Sequence, residues 1–261
     1  MTNLIVSVLD GNTRTQPRGP IAVSVVSHGH SDMVAQLLAQ LCRWGGLIGE
    51  VVLTHNLPAE AVPVPPGGWP FRFIEVFNSA PAGFGANHNH AFARSSSEFF
   101  CVLNPDIELN DPAIWVQLVE RGREPQVGCA YPVLLNSDGS RQDNEREAVS
   151  PLALFRRHLL KRAQCRVDWV SAAFWLVRAS AWREVGGFDE RYFMDCEDTD
   201  CCLRLQMAGW NLAKAQATAV HNASWSSRQL GAHLLWHLGS MVRLWAQPTL
   251  RRYLSGRFHG T

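Results

Sequence analysis

Four acids fall within six residues, at Asp195, Glu197, Asp198 and Asp200, and the helical pattern of 202–208 follows them directly. Carboxylates crowded in this way hinder one another's ionisation, which leaves one able to accept a proton near neutral pH. The adjacent pair Glu197 and Asp198 is the candidate for that work. Asp200 has a plainer duty open to it: Arg204 stands one helical turn further on and can pair with it, and acids at a helix start also meet the positive end of the dipole. A second constellation, Asn104-Pro105-Asp106, follows the apolar run Phe99–Leu103. Hard cations take oxygen ligands, and Mg²⁺ commonly uses only one or two carboxylates, so Asp106 is a candidate for holding a divalent cation against a diphosphate. Asp111, just downstream, suits a turn or a cap better. His221 closes the apolar run 217–220; it is a structural strand-end histidine unless the fold brings it beside Asp106, where imidazole would be a ligand for a Mn²⁺-class metal. The Gly83-Phe84-Gly85-Ala86-Asn87-His88-Asn89 loop could offer backbone N–H groups to an anion as it opens a helix. It lacks the third glycine of a dinucleotide fingerprint, and no P-loop lysine follows.

Positioning such groups requires strand ends. Ile21–Ser27 is a short β-rich run, 32–44 has helical apolar spacing through Met33, Leu37, Leu38 and Leu41, and 50–54 is apolar again. After a proline-rich stretch at 58–70, the pattern predicts a strand over 71–77, a helix over 87–95 and a buried strand over Phe99–Leu103. Alternation of this kind predicts an α/β fold with a parallel sheet, helices on both faces, and ligands beyond the carboxyl ends of the strands. Ser27, His28, His55, Asn56 and Asn104 to Asp106 stand at those ends. A helix over 113–121, a strand over Val127–Leu135 and a hairpin-type Asp138-Gly139 turn come next. Residues 150–166 then carry five basic side chains beside Leu152, Leu154, Phe155, Leu159 and Leu160, an amphipathic cationic pattern.

The chain has 261 residues, 46% hydrophobic and 18% charged, enough for one large α/β domain with its own core. A net charge of +1 gives no global field for a polyanion, which excludes nucleic acid as the expected partner. Seven cysteines without a C-x-x-C spacing argue for reduced thiols rather than zinc or disulfides. The apolar stretch Leu4 to Leu9 is too short for a signal peptide or a membrane span, so a cytoplasmic protein is expected.

Taken in order over residues 21 to 227, these pieces resemble the family-2 inverting glycosyltransferases of GT-A fold. The resemblance rests on Val26-Ser27-His28, His55-Asn56, the Gly83 to Asn89 loop, Asn104-Pro105-Asp106, Asp168-Trp169-Val170-Ser171-Ala172-Ala173, Gly186-Gly187-Phe188-Asp189-Glu190 and Glu197-Asp198-x-Asp200. It implies a mixed, mostly parallel sheet flanked by helices and a single-displacement transfer from a nucleotide sugar. On that footing Asp198 is the general base and Glu197 shapes the acceptor site, with Trp169, Ser171 and Asp200 on the acceptor side. Asp106 and His221 would bind Mg²⁺ or Mn²⁺. Ser27, His28, His55, Asn56, Gly85, Asn87 and Asn104 would line the donor site. His55 stands where an acid is usual, Ala172 where glycine is usual, and Asn104 where many members carry the first aspartate of D-x-D; asparagine ligates a metal weakly, which implies low metal affinity. The Asn-Pro-Asp form resembles the rhamnosyltransferase-like subset, implying a dTDP- or UDP-sugar donor, dTDP-L-rhamnose foremost, and a glycan or polyprenyl-diphosphate-linked acceptor in surface polysaccharide synthesis.

Three segments are expected: an N-terminal arm over 1–20, the GT-A domain over 21–227 and an amphipathic helical extension over 228–261. In the last, Leu230, Leu234, Leu238, Met241, Val242 and Trp245 form a stripe with Arg243, Arg251, Arg252 and Arg257 nearby. Core packing, a dimer face and docking at the inner face of the cytoplasmic membrane all fit that stripe. Two other readings of the whole chain stay open at this stage, a nucleotidyltransferase that makes a sugar nucleotide and a non-catalytic nucleotide- or carbohydrate-binding module. The first normally opens with a glycine-rich, Arg/Lys-bearing loop, where this chain has Val26-Ser27-His28-Gly29-His30.

Overall fold

Strand β2 (Ile21–Ser27) is buried along its whole length, as an apolar run covered on both faces must be. It lies inside a nine-stranded sheet in a computed structural model that describes residues 5–9, 19–148, 166–223 and 230–258. The further elements are β1 (Ile5–Leu9), α1 (Ser31–Leu41), β3 (Ile48–His55), β4 (Arg72–Phe77), α2 (Phe84–Phe92), β5 (Phe99–Leu103), β6 (Ile107–Glu108), α3 (Ile114–Arg123), β7 (Val127–Leu135), β8 (Glu145–Arg146), β9 (Trp169–Val170), β10 (Phe174–Arg178), α4 (Ala179–Val185), α5 (Glu197–Met207), β11 (Asn211–His221), α6 (Leu230–Ala246) and α7 (Pro248–Phe258). The cationic pattern at 150–166 lies, apart from Arg166, outside the described residues.

The strand order is β1-β4-β3-β2-β5-β10-β7-β11-β6. Strands β4, β3, β2 and β5 run parallel. Strand β10 is antiparallel to both β5 and β7, while β11 is parallel to β7. The sheet is therefore mixed and mostly parallel. Alternate residues of β2 serve opposite faces: Val23 and Val25 meet α1 and α3 through Leu37, Leu41, Trp115 and Leu118, whereas Ala22 belongs with Phe100, Trp175, Trp182 and the α5 residues Cys202 and Leu205. The apolar start of the expected arm forms β1, which pairs antiparallel with β4 from Ile5 opposite Phe77 to Leu9 opposite Phe73 and so covers an otherwise open edge.

Two local features decide what meets at the carboxyl end. The two-residue strand β6 pairs with the end of β11, His221 opposite Ile107, which carries residue 106 alongside His221. The Asp138-Gly139 turn, with Gly139 at φ +81°, returns the chain along β7 so that Gln142 N donates to Leu134 O. Helices α6 and α7 pack on α5 in a third cluster of Tyr192, Cys196, Leu203, Leu244, Leu250 and Tyr253, with Met241 and Trp245 against it. The expected C-terminal stripe is split. Met241 and Trp245 face this cluster, whereas Leu238 and Val242 are 52% and 63% exposed, because Ser240, Met241, Leu244 and Trp245 define the inward face.

Candidate active site

At the β6–β11 pairing, His221 Nε2 lies 3.4 Å from Asp106 Oδ1. The tautomer of His221 follows from its other nitrogen. Gln142 Nε2 donates to Asn136 Oδ1 and His221 O, which turns Gln142 Oε1 towards His221 Nδ1 at 2.8 Å. An amide oxygen only accepts, so Nδ1 carries the hydrogen, and in the neutral ring Nε2 presents a lone pair to Asp106. Asp106 Oδ1 is itself buried and accepts no hydrogen bond from the described residues. Two lone-pair donors facing each other across 3.4 Å suit a shared cation, and the Gln142 contact is the outer support that metal-binding histidines commonly have. Among the described residues no cluster of three or more His, Cys, Asp or Glu could hold a metal. A cation here would complete its shell with diphosphate oxygens and water, as Mg²⁺ and Mn²⁺ do in phosphate sites.

The second centre is the start of α5. Glu197 is 5% exposed, its Oε2 has no hydrogen-bond partner among the described residues, and burial, then the neighbouring Asp198 charge, drive its pKa well above the carboxylate range. Burial therefore favours its protonated form. Asp198 is half-buried, and its pKa is pushed up to about 6, by burial first, with the Asp195 charge adding to the rise. Backbone N–H groups of Thr199, at 2.7 Å from Oδ1, and of Ala172 oppose that shift. The pair is one titrating unit that holds a proton on the more buried member and leaves Asp198 able to accept one near neutrality. The two centres are joined through the step before β10: Ala172 bonds Asp198 while Ala173 O accepts from Asn104 N at 2.9 Å. Asp195 and Cys196, just before the pair, hold φ of +67° and +69°. Left-handed non-glycine residues cost about 1–3 kcal/mol each and persist only where their surroundings hold them.

The expected donor residues form a polar network at the ends of β2, β3 and β4. Asn56 Nδ2 donates to His28 Nε2 at 2.7 Å and to Ala82 O, and Asn56 Oδ1 accepts from Asn78 Nδ2 and Ala82 N. Asn87 is fully buried, with Oδ1 accepting from Asn78 and Nδ2 donating to Ala82 O. His28 is held neutral by burial and then by the nearby His30. His55 Nε2 donates to buried Glu75 at 2.7 Å, and its ring stacks on Phe77. Ser27 Oγ accepts from His30 N. Asn56 and Asn87 thus spend their amides shaping the 78–82 loop, and Asn78 and Glu75 are hydrogen-bond partners of the expected donor residues that sequence reasoning missed. Asn78 carried one signal, an asparagine just past a strand end like Asn56 after β3.

The glycine loop differs from expectation. Helix α2 begins at Phe84, three residues before the predicted start, and Phe84 N donates to Phe193 O. A Cβ on Gly83 would lie 2.9 Å from Phe193 O, and one on Gly85 2.7 Å from Phe188 Cβ. Both glycines let α2 approach the 188–193 segment. On the acceptor side, Trp169 donates from Nε1 to Glu147 O beneath the Arg146 guanidinium, and Ser171 N donates to Asn144 O. Asp200 is buried and accepts from Arg204 Nε at 2.7 Å. Asp111 closes the turn before α3, accepting from Ala113 N two residues on.

No protein-family model matches the chain. It is 28% identical over 258 residues to rhamnosyltransferase WbbL of Escherichia coli (strain K12), covering 91% of this chain and 96% of that protein. It is 31% identical over 160 residues to the N-acetylglucosaminyl-diphospho-decaprenol L-rhamnosyltransferase of Mycobacterium tuberculosis (strain ATCC 25618 / H37Rv), covering 54% of this chain and about half, 52%, of that relative. Among solved structures, mannosyltransferase PcManGT from Pyrobaculum calidifontis, in complex with GDP-Man and Mn²⁺, matches 94% of this chain and 76% of its own at a TM-score of 0.60 and 14% identity. S. aureus TarS 1-349 matches 77% of this chain and 60% of its own at 0.55 and 12%. At such identities the solved structures show the fold alone, the GT-A fold of glycosyltransferases.

Proposed function

We propose that this chain, a rhamnosyltransferase-like glycosyltransferase of the family-2 kind, moves an L-rhamnosyl unit from dTDP-L-rhamnose to a saccharide carried on a polyprenyl diphosphate, with inversion, in the synthesis of a bacterial surface polysaccharide. The observation that carries the mechanism is the joining of two unlike centres by the Ala172-Ala173 step, the Asp106–His221 pair on one side and the Glu197–Asp198 pair on the other. Asp198 takes the proton from the acceptor hydroxyl as the oxygen attacks the anomeric carbon and the nucleoside diphosphate leaves. Glu197, whose burial favours the protonated form, can in that form donate a hydrogen bond to the acceptor without adding a second negative charge beside the base. Asp106 and His221 would hold a divalent cation, which supplies electrostatic stabilisation of the departing diphosphate. The hydrogen-bonded ends of β2 and β3 suit a nucleotide base and ribose, with Ser27, His28, His55 and Asn56 nearest.

In this reading residues 21–227 are the catalytic domain and 228–261 an extension that meets the inner face of the cytoplasmic membrane, where a polyprenyl acceptor is presented. Residues 228–261 contain five Arg and no Asp or Glu, and α6 exposes Leu235, Leu238 and Val242. No helix among the described residues is long and apolar enough to cross a membrane. Isothermal titration with dTDP, UDP and GDP, each with Mg²⁺, Mn²⁺ or chelator, tests the donor assignment. Preference for dTDP, strengthened by metal and losing that strengthening in Asp106→Ala, is expected. No preference among the three nucleotides overturns the donor, and flotation with anionic vesicles that leaves the protein unbound overturns the membrane contact.

A further inference from the structure

The backbone before the acid pair is held from outside the motif-bearing domain. Asp195 and Cys196 keep consecutive left-handed conformations, and such conformations last only where neighbours over-determine them. Several of those neighbours come from α6. Trp236 packs on Phe193 with ring centroids 4.8 Å apart, Ser240 Oγ donates to Met194 O at 2.7 Å, and His237 Nδ1 donates to Asp195 Oδ2 at 3.2 Å. Residues 236, 237 and 240 share one helix face. Ser240 is buried, and Leu244, one turn on, belongs to the cluster that contains Cys196. Three successive residues of the loop are thus each met by a different α6 side chain.

We propose that α6 braces this loop, and that Ser240 and His237 are positioning residues that set where Asp198 points and when it ionises. The proposal rests on the reading of Asp198 as the base. Its electrostatic part concerns Asp195, whose charge faces Glu197 and Asp198 on α5 and His237 on α6, with the Cys196 thiol beside it. A donor from His237 draws Asp195 charge away from the pair. Its steric part concerns Met194 O: without the Ser240 bond, the left-handed pair can relax and the first turn of α5 with it.

The test uses the full chain and the variants Ser240→Ala, His237→Ala, His237→Gln and Asp198→Asn. Amide hydrogen exchange across 193–199 is read alongside dTDP release from dTDP-L-rhamnose with an N-acetylglucosaminyl-diphospho-lipid acceptor. Ser240→Ala is expected to speed exchange in 193–199 at least tenfold and to lower kcat by about as much, with the donor KM within twofold. His237→Ala should move the acid limb of kcat to higher pH, and His237→Gln, which restores a neutral donor, should return it. Wild-type exchange and wild-type pH profiles in Ser240→Ala and His237→Ala, with Asp198→Asn inactive, overturn the brace and leave the base standing. An active Asp198→Asn removes the base, whereas the exchange measurement still judges the brace by itself.

Discussion

Replacing Asp198 by Asn should make the protein more stable and inactive at once. A carboxylate whose pKa rises from about 3.9 in the unfolded chain to about 6 in the folded one destabilises the fold whenever it is ionised. The gap of roughly two units, at about 1.4 kcal/mol per unit, gives an upper figure of about 3 kcal/mol. The sign is fixed by the direction of the shift. Below about pH 4 both states are protonated and the penalty vanishes; it reaches about half its size near pH 5 and is complete above about pH 7. Asparagine removes the charge, keeps an acceptor for the Thr199 N–H, and relieves Glu197 of its charged neighbour. For a chain of this size the gain at pH 8 corresponds to at most about 6–12 °C in Tm. Thermal melts of both proteins at pH 5 and pH 8 measure it. A stability difference that does not grow with pH, or an Asn variant less stable at pH 8, refutes the reasoning. The same shift predicts that wild-type kcat falls as pH drops through about 6, to roughly a tenth of its plateau at pH 5, with unit slope, as one carboxylate taking up a proton requires.

Gln142→Leu should weaken metal-dependent nucleotide binding by about 10- to 100-fold, because His221 loses the partner that fixes its tautomer; titration of dTDP with Mn²⁺ and with chelator separates this from any metal-independent loss. Gly85→Ala drives a methyl to 2.7 Å from Phe188 Cβ and should cost about 1–3 kcal/mol, read as a lower Tm. Nucleotide affinity of the folded fraction should change little, since Gly85 serves packing between α2 and the 188–193 segment.

The strand ends were legible in the sequence because each closes an apolar run that tertiary contacts cannot relocate: β2, β5 and β7 span Ile21–Ser27, Phe99–Leu103 and Val127–Leu135, and the strand-end residues follow from them. The helix that opens after Gly83 was misplaced by three residues because its start is set by Phe193 O, more than a hundred positions away, and no local pattern encodes that acceptor. The same holds for Gln142 on His221, separated by 79 positions, and for His237 on Asp195, separated by 42. Periodicity also misread α6, because Leu238 and Val242 satisfy a helical stripe as well as Met241 and Trp245 do, and only the position of α5 decides which pair turns inward. The residues that touch substrate in the proposed reaction sit where local sequence dictates an end to a strand or helix. Those that tune them are chosen by the packing of distant elements, so their types are unremarkable and their spacing carries no period. A single sequence therefore reveals the reacting groups of such a site before it reveals what sets their protonation and aim.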